Sequence, residues 1–448
     1  MQKNDKVVLE IVDMTADGSG VAKYDGIAVF VPCTAIGDKI EALILKVKKT
    51  YAFGKVLNII EPSSNRIEPD CKTFSKCGGC VYRHISYDAE CKIKENKAYE
   101  AIKRIGGIDL KPQSIIRGEN INCYRNKAQL PLDSFGNAGF YAKHSHRIIP
   151  NNNCLLQPTV FGEIIRETES FIKEKKISIY NEETHKGLLR HIYLRQGDKT
   201  GEISLTLIIN GDILPFKDEL VTHITANFDQ IKSITLNINK QKNNVILGDN
   251  CVTLYGDDYI NDVLCGVKVR LSPMSFYQVN RTMAERLYLK AKEYACPQNK
   301  NILDLYCGAG TIGLSMAKEA NSVIGVEIIP EAIVDAKFNA RENNIDNARF
   351  ICGDAETAAK ALAKENLSVD TCIVDPPRKG LTVELIKTIT KDFCPERVVY
   401  VSCDVATLAR DIKIFRENGY KLVEYTPCDL FPRTSHVETA ALLVRNEN

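Results

Sequence analysis

Residues 301–313, NILDLYCGAGTIG, place the strongest constraint on the fold. A short apolar run of strand type enters a glycine-rich turn, and a helical pattern follows. From about Leu271 onward the sequence repeats this alternation of apolar strands and amphipathic helices. Strands that alternate with helices form a parallel sheet with helices on both faces. The C-terminal part of the chain is therefore predicted to be a doubly wound α/β domain.

The glycine-rich turn predicts a nucleotide-type ligand. Gly308, Gly310 and Gly313 form a G-x-G-x-x-G pattern, and Glu327 ends the next strand, SVIGVEI. This spacing fits a nicotinamide dinucleotide site, in which the acidic residue binds the ribose hydroxyls. S-adenosylmethionine needs the same geometry, and Asp304 together with the later VDPPRKG favours this methyl donor. A tight turn that only caps a helix is the remaining alternative.

Two further strands end in residues that carry chemistry. Cys403 ends the strand in VVYVSCDVATLARD, and Asp375 ends the strand in TCIVDPPRKG, where two prolines stiffen the chain. Ligands of doubly wound domains bind at the carboxyl ends of the strands, so both side chains are candidates for an active site. Alternatively, Cys403 is a small buried apolar residue and the Asp-Pro-Pro turn only ends its strand.

Residues 5–60 alternate short β-type runs with turn signals, which is typical of a small β-barrel. The predicted strands are Lys6–Val12, Gly26–Pro32, Lys39–Val47 and Tyr51–Ile60. The stretch LKVKKTYAFGKV interleaves lysines with Tyr51 and Phe53. Cations that bind phosphates and rings that stack on bases suit single-stranded RNA, although a solvated strand edge gives the same pattern.

Cysteine usage indicates a metal site in a reducing compartment. The chain has 16 cysteines, its N-terminus is polar, and no apolar run is long enough to span a bilayer, so we expect a cytoplasmic protein with no membrane contact. Cys71, Cys77 and Cys80 have the spacing C-x5-C-x2-C, with two glycines that permit a tight loop. Four thiolates fit either zinc or an iron-sulfur cluster, and spacing alone leaves both open.

The chain divides into three predicted blocks. Residues 1–61 form the β-barrel, and residues 62–265 form a β-rich central block with the cysteine loop. A helix is expected near Tyr87 to Ile105, and strands are expected in GEISLTLIING and IKSITLNIN. Residues 266–448 form the α/β block.

Five motifs of the last block resemble those of the RNA uracil-C5 methyltransferase family, in the same order: SFYQVN, DLYCGAGT, VDPPRKG, VSCDVATLARD and HVETAALLVR. The resemblance implies a class I, Rossmann-like methyltransferase domain that binds S-adenosylmethionine. The N-terminal barrel resembles a TRAM domain, which is OB-like. CKTFSKCGGC and the later NNNC resemble the cysteines of the family's 23S ribosomal RNA members, which implies a 4Fe-4S cluster on Cys71, Cys77, Cys80 and Cys154. Cys91 and Cys123 are the substitutes if Cys154 is not the fourth ligand.

The resemblance also assigns catalytic roles. Carbon 5 of uracil is a poor nucleophile, so a thiolate must first add to carbon 6, and Cys403 is the expected nucleophile. Glu438 is the expected base that removes the carbon 5 proton. The family's last antiparallel strand is inserted beside the strand ending at Cys403, which would bring these two residues together. The expected cofactor residues are Gln278, Tyr306, Glu327 and Asp375, with Asp354 as a weaker candidate that is otherwise a helix cap.

These features predict an enzyme that methylates carbon 5 of one or more uridines in 23S ribosomal RNA and acts as a monomer. A tRNA uracil-5 methyltransferase and a non-catalytic RNA-binding or ribosome-assembly factor are the alternatives. A radical methylthiolating enzyme also carries a TRAM barrel. It requires C-x3-C-x2-C spacing, however, and does not explain VSCD or HVE.

Overall fold

A computed structural model describes residues 1–365 and 367–446 of the chain, so residue 366 and the last two residues of the predicted α/β block lie outside it. The first six strands form one sheet, in the order β1-β5-β6-β4-β3-β2. Their bounds are β1 Lys6–Glu10, β2 Asp13–Met14, β3 Gly20–Tyr24, β4 Ile27–Val31, β5 Lys39–Val47 and β6 Tyr51–Glu61. Alternate side chains of β1 and β5 are buried, and β1 also packs against β3, so the sheet curls around a small apolar core.

The barrel prediction locates four of these strands to within two residues. It misses β2 and β3; β3 overlaps the turn signals ADGSG and KYDG, and β2 has only two residues. Gly18 and Gly26 do lie in turns with positive φ, but five residues between them still pair with β4. Lys23 and Tyr24 make β3 too polar to stand out in the sequence.

The central part of the chain is built on a five-stranded sheet of order β13-β12-β11-β10-β7. Two helices cover its apolar face, and a short hairpin, β8 with β9, lies next to β7. The bounds are α1 Tyr87–Arg104, β7 Lys127–Pro131, β8 Gly139–Tyr141, β9 Ile148–Pro150, α2 Thr159–Glu174, β10 Leu189–Gln196, β11 Ile203–Ile209, α3 Lys217–Asn227, β12 Ile231–Ile238 and β13 Asn250–Gly256. The expected helix and the two expected strands are present as α1, β11 and β12.

Helix α1 begins where Ser86 caps it, and the Ser86 hydroxyl accepts a hydrogen bond from the Ala89 N–H at 3.3 Å. Although α1 precedes the five-stranded sheet in sequence, it packs against the C-terminal domain. Its apolar residues Cys91, Ala98 and Ile102 join the same core cluster as that domain's central strands. The segment after the cysteine loop is therefore tied to the C-terminal domain.

The C-terminal domain contains a seven-stranded sheet of order β18-β17-β16-β19-β20-β22-β21. All its strands are parallel except β22, which is antiparallel to both of its neighbours. A hairpin of β14 and β15 precedes it, and a short π-helix, Thr388–Phe393, follows α8. The bounds are β14 Ile260–Leu264, β15 Val267–Leu271, α4 Arg281–Ala295, β16 Asn301–Leu305, α5 Thr311–Ala317, β17 Ser322–Glu327, α6 Pro330–Glu342, β18 Ala348–Cys352, α7 Ala355–Lys364, β19 Thr371–Val374, α8 Val383–Lys387, β20 Arg397–Ser402, α9 Val405–Glu417, β21 Tyr420–Cys428 and β22 Glu438–Arg445.

This sheet confirms the predicted doubly wound α/β architecture. Core strands such as β19 and β20 are buried on both faces, which explains their nearly continuous apolar sequence. None of the helices in the described part of the chain is both long enough and apolar enough to cross a membrane.

Candidate active site

The candidate site lies at the carboxyl ends of the parallel strands. Strand order runs from β16 to β17 and β18 on one side and to β19 and β20 on the other, so the direction of winding reverses beside β16. Such a switch point leaves a crevice in which ligands bind. Four candidate residues lie at this edge of the sheet: Glu327 is the last residue of β17, and Tyr306, Asp375 and Cys403 directly follow β16, β19 and β20.

The glycine-rich turn follows β16 and has left-handed backbone at several positions. Gly308 and Gly310 have φ values of 54° and 78°, and Tyr306 has a φ of 65°. A Cβ atom added to Gly308 would meet nothing within 4 Å, so the backbone at this position is open to a ligand. At Gly313, by contrast, an added Cβ would approach Asp304 Oδ2 to 2.9 Å. The turn is thus closely packed at Gly313, against Asp304, and has free space at Gly308.

Glu327 lies directly beside this turn. Its Oε2 accepts a hydrogen bond from the Gly308 N–H at 3.2 Å, and its Oε1 accepts one from the Ile329 N–H at 2.9 Å. The carboxylate is therefore held at the tip of β17 by two backbone donors. Each of its oxygens keeps lone-pair capacity for a hydroxyl donor.

Asp304 and Asp375 introduce two more carboxyl groups. The Gly313 N–H donates to Asp304 Oδ2 at 3.0 Å, whereas Oδ1 is buried and lacks a partner among the described residues. Burial raises the pKa of Asp304 to about 7, and the charges of Asp375 and Glu327 contribute to the increase. Burial also raises the pKa of Asp375 to about 7. A ligand with hydrogen-bond donors or positive charge would fit this part of the crevice.

Gln278 reaches the same region from the segment before α4. Its Nε2 lies 3.3 Å from the hydroxyl of Tyr288, a buried residue of α4. Burial raises the pKa of Tyr288, and the charge of Asp375 raises it further, which places these groups near one another. Asn126 holds the segment from the other side, because its side-chain amide donates to the Gln278 carbonyl at 3.1 Å.

Tyr306 and Asp354 lie at the other flank of the turn. Burial raises the pKa of Tyr306 to about 12, and the charge of Asp354 is the next cause. Asp354 is the N-cap of α7, where its Oδ1 accepts a hydrogen bond from the Thr357 N–H at 3.0 Å. The helix-cap alternative for Asp354 is thus confirmed, and its carboxylate still lies near Tyr306.

Cys403 and Glu438 are brought together by strand pairing. Ser402, the last residue of β20, pairs with Thr439 near the start of β22, so the adjoining residues Cys403 and Glu438 lie opposite one another. Burial raises the pKa of Cys403 to about 11, and the charges of Glu438 and Asp375 raise it further. Burial and the Asp375 charge raise the pKa of Glu438 to about 8. A thiol and a carboxyl group thus share one desolvated site.

Positive groups oppose these shifts. Arg378, in the Pro-Pro-Arg turn after Asp375, lowers the pKa of both Cys403 and Glu438. Its Nη2 lies 3.4 Å from His436 Nδ1. Asp404 caps α9 by accepting from the Ala406 and Thr407 N–H groups at 3.0 and 2.9 Å, so Cys403 precedes a helix N-terminus, whose dipole favours a thiolate. Sequence reasoning did not single out Arg378 and His436, although both lie within motifs that it quoted.

The cysteine loop belongs to none of the strands that form this crevice. Burial raises the pKa of Cys154 to about 11, and the neighbouring charges of Cys80 and Cys77 contribute, so these three thiols are close in space. Cys71 in turn raises the pKa of Cys77, after the effect of burial. Within residues 1–365 and 367–446, however, no three Cys, His, Asp or Glu side chains converge closely enough to hold a single metal ion. The structure therefore gathers the four predicted cysteines but does not show a metal centre.

Comparison with known proteins is consistent with this geometry. Residues 252–446 match the tRNA (uracil-5-)-methyltransferase family, and residues 6–57 match the TRAM domain. An uncharacterized RNA methyltransferase of Clostridium tetani is 43% identical over 99% of this chain and 97% of its own length. Another from Halalkalibacterium halodurans is 43% identical, with 99% and 98% covered.

A solved structure matches along almost the whole chain. It is the crystal structure of Pyrococcus abyssi tRNA (uracil-54, C5)-methyltransferase in complex with S-adenosyl-L-homocysteine. That protein is 30% identical to this chain, with a TM-score of 0.79, and the alignment covers 97% of this chain and 99% of that one. The protein is an RNA methyltransferase with an N-terminal TRAM domain. It belongs to the RNA uracil-5-methyltransferase family, and S-adenosylmethionine is its methyl donor.

The buried carboxyl of Glu438 generates a prediction about stability. Its pKa is about 8 in the folded protein and about 4.5 in an unfolded chain, so the folded state binds the proton more tightly between these values. The free energy of unfolding should therefore fall as the pH rises through this window. Glu438→Gln should remove that loss and make the protein more stable than wild type at pH 8.

Chemical denaturation of both proteins between pH 4.5 and pH 8.5 tests this expectation. The difference in the free energy of unfolding should be largest at the alkaline end and shrink toward the acidic end. Glu10→Gln, at an exposed strand position, is the matched control and should show no such trend. Equal pH dependence in the Glu438→Gln and wild-type proteins would contradict a raised pKa.

Proposed function

We propose that this protein transfers a methyl group from S-adenosylmethionine to carbon 5 of uridine in 23S ribosomal RNA through a covalent adduct with Cys403. The observation that carries the proposal is the juxtaposition of Cys403 and Glu438 across the β20–β22 pair, at the edge of the crevice that also holds the glycine-rich turn. A nucleophile and a base on neighbouring strands can act on adjacent carbons of one flat ring.

The proposed reaction begins when the Cys403 thiolate forms a bond to carbon 6 of uracil. The carbon 5–carbon 6 double bond opens, and its electrons give an enolate that is nucleophilic at carbon 5. Bound S-adenosylmethionine would supply an electrophilic methyl group: carbon 5 forms a bond to this methyl as the sulfur–methyl bond breaks, and the electron pair of that bond leaves with S-adenosylhomocysteine. Glu438 then takes the proton from carbon 5, the double bond re-forms, and the thiolate of Cys403 leaves carbon 6.

The electrostatics of the site suit these roles. A carboxylate with a pKa near 8 accepts a proton more readily than an ordinary glutamate, which helps it to deprotonate carbon. Cys403 needs help to ionise, because burial raises its pKa to about 11. Arg378 and the N-terminus of α9 oppose that increase in pKa and favour the thiolate when the uracil ring is bound.

The cofactor roles follow from the crevice geometry. We assign the ribose hydroxyls to Glu327, which presents two carboxylate oxygens at the tip of β17. Asp375 faces the methionine part of the donor or the target base. Gln278 and Tyr306 flank the pocket on opposite sides, where amide and phenol groups orient the donor. The open space above Gly308 is consistent with a ligand that approaches the backbone at this point.

The TRAM barrel has an exposed aromatic cluster suited to RNA. The rings of Phe30, Tyr51 and Phe53 have centroids 5.5–5.9 Å apart, and the last two side chains remain 36% and 41% exposed. Lysines from the same stretch, Lys46, Lys48, Lys49 and Lys55, surround it in sequence. Exposed rings flanked by cations can stack on unpaired bases and bind phosphates.

We also propose that Cys71, Cys77, Cys80 and Cys154 hold a 4Fe-4S cluster. An iron-sulfur cube separates its four thiolates more widely than a single metal ion does, so closely converged ligands are not required before it binds. Arg125 supports an anionic occupant. Its Nε is buried with no partner in the described part of the chain, and the charges of Tyr124, Cys80 and Cys154 raise its pKa against the effect of burial.

The choice of RNA rests on two opposing observations. The barrel combined with the cysteine loop resembles the 23S ribosomal RNA members of the family. The P. abyssi structure, which matches nearly the whole chain, is a tRNA uracil-54 enzyme, so tRNA is the second candidate substrate. A non-catalytic binding factor is disfavoured because Cys403 and Glu438 are both present and adjacent.

The covalent mechanism predicts that Cys403→Ala lowers the methylation rate by at least about a thousandfold, because the nucleophile is lost. S-adenosylhomocysteine should bind as well as it does to wild type, since the thiol acts on the base. Wild type should form a denaturant-resistant complex with RNA that carries 5-fluorouridine, whose fluorine cannot be removed as a proton, and Cys403→Ala should not. Transfer of a radiolabelled methyl group and denaturing gels measure both effects.

Glu438→Gln is the companion variant for ordinary RNA. This variant should form the bond to carbon 6 of uracil and methylate carbon 5, but it should fail to release the RNA. A methylated covalent complex should therefore accumulate. Free release of unmethylated RNA would show that Glu438 orients the substrate and that another group is the base.

The cluster proposal predicts about four irons and four sulfides per chain after anaerobic purification. Replacement of any one of Cys71, Cys77, Cys80 or Cys154 by Ser should remove most of the iron. Cys251 is an exposed thiol on β13, and Cys251→Ser should not remove the iron. Limited proteolysis should show loosened segments around residues 71–80 and around Cys154, because the metal cross-links these segments, whereas α1 is held by the core of the C-terminal domain. Binding of S-adenosylhomocysteine should persist. Stoichiometric zinc without iron would overturn the cluster identity.

The substrate proposal predicts that cells lacking the gene lose one or more 5-methyluridines from 23S ribosomal RNA, because the proposed enzyme is the one that installs them. Mass mapping of purified 23S RNA and tRNA from mutant and parent strains measures this directly. A gene copy encoding Cys403→Ala should fail to restore the modification. Loss of 5-methyluridine from tRNA alone would select the second candidate.

A further inference from the structure

The segment that delivers Glu438 to the active site has no regular structure of its own. Residues 429–437, which we call the connecting segment, link β21 to β22. They include His436, which lies two residues before Glu438. Most of the connecting segment is nevertheless buried, from Asp429 at its start to Thr434. A buried irregular backbone depends on partners from elsewhere for its position.

Helix α1 supplies the main partners from one of its faces. The Lys94 ammonium is fully buried and donates three hydrogen bonds: to Glu90 Oε1 at 2.7 Å, to Asp429 Oδ1 at 2.6 Å and to the Phe431 carbonyl at 3.1 Å. An ammonium has three donors, so all of its donors are used. The Tyr87 hydroxyl donates to the other Asp429 oxygen at 2.8 Å.

Glu90 fixes the middle of the connecting segment. Its Oε1 also accepts a hydrogen bond from the Arg433 N–H at 2.7 Å, and the Arg433 guanidinium lies 3.6 Å from Oε2. Arg433 has a left-handed backbone with φ 70°, a conformation that a non-glycine residue adopts only when its surroundings hold it there. Lys94 and Arg433 balance the charges of Glu90 and Asp429, so this buried cluster is neutral as a set.

Two further contacts come from other parts of the chain. The Val81 and Tyr82 N–H groups, immediately after Cys80, both donate to the Arg433 carbonyl, at 2.8 and 3.1 Å. One helical turn beyond Lys94, Lys97 donates to the Ser435 carbonyl at 2.9 Å and to the Ala16 carbonyl of the barrel at 3.1 Å. Helix α1 and the residues that follow the cysteine loop thus contact this segment directly, and Lys97 links it to the barrel.

We propose that Tyr87, Glu90, Lys94 and Asp429 are positioning residues that set Glu438 opposite Cys403, so that elements outside the methyltransferase domain control the proton-removal step. The inference rests on the proposed role of Glu438 as the base. Misplacing a catalytic group by about 1 Å can cost a hundredfold in rate. Glu438 is the first residue of β22 and directly follows the connecting segment, whereas Cys403 follows β20 and is not joined to that segment, so nucleophilic attack should depend much less on this cluster.

The test uses Tyr87→Phe, which deletes one hydroxyl and keeps the ring. With ordinary RNA it should slow release of the methylated product by about tenfold to a hundredfold and accumulate the methylated covalent complex, as Glu438→Gln does. Formation of the 5-fluorouridine adduct and binding of S-adenosylhomocysteine should stay near wild type. Tyr420→Phe is the matched control, because its buried hydroxyl donates to the Pro395 carbonyl, at 2.7 Å, away from the site.

Lys94→Met and the double variant Lys94→Met/Glu90→Gln extend the test, since the second keeps the cluster neutral. Both should trap the methylated complex, and the double variant should be closer to wild type in thermal stability. Release of methylated RNA from Tyr87→Phe at the wild-type rate would overturn the inference alone. Equal loss of adduct formation and cofactor binding would show a merely structural role and overturn it too. No adduct with wild type would overturn the covalent mechanism and the inference together.

Discussion

The antiparallel strand β22 is the constraint on which the site depends. It lies between β20 and β21, and its pairing with β20 fixes which residue stands beside Cys403. Because successive side chains of a strand point to opposite faces, a slip of one residue would turn Glu438 away from the thiol. The nearly complete burial of β22 specifies the register, since a slip would also misplace its apolar residues in the core. The register that packs the apolar residues of β22 into the core is therefore the same register that places Glu438 beside Cys403.

The same burial explains the unusual electrostatics of the crevice. Asp304, Asp375 and Glu438 all have a pKa raised by desolvation, and Arg378 opposes the shift at Glu438. Grouping buried carboxyls costs folding stability at neutral pH, because each must either bind a proton or pay for an unsolvated charge. Such costs are common where pKa values must be matched to a reaction. The large core clusters on both faces of the seven-stranded sheet offset them.

The sequence was most informative where local pattern and motif agree. Continuous apolar strands followed by helices predicted the α/β domain, and the order of motifs predicted which strand ends converge. The sequence was less informative where contacts between distant parts of the chain decide whether a strand forms or what a residue does. Strand β3 is too polar to be detected, and Arg378 gains its importance only from the fold, which brings it close to Cys403 and Glu438.

Helix α1 is a second case in which the sequence predicts an element but not its tertiary contacts. Its existence follows from sequence, but its polar residues Glu90 and Lys94 look like an ordinary surface pair at i and i+4. In the structure both are buried against Asp429, more than three hundred residues away in sequence. A buried charge cluster contributes little net stability but is sensitive to any change in geometry. The contacts of α1 and of the residues after the cysteine loop with residues 429–437, together with the link from the barrel through Lys97, therefore provide a physical route by which RNA bound at the N-terminal elements could influence the placement of Glu438.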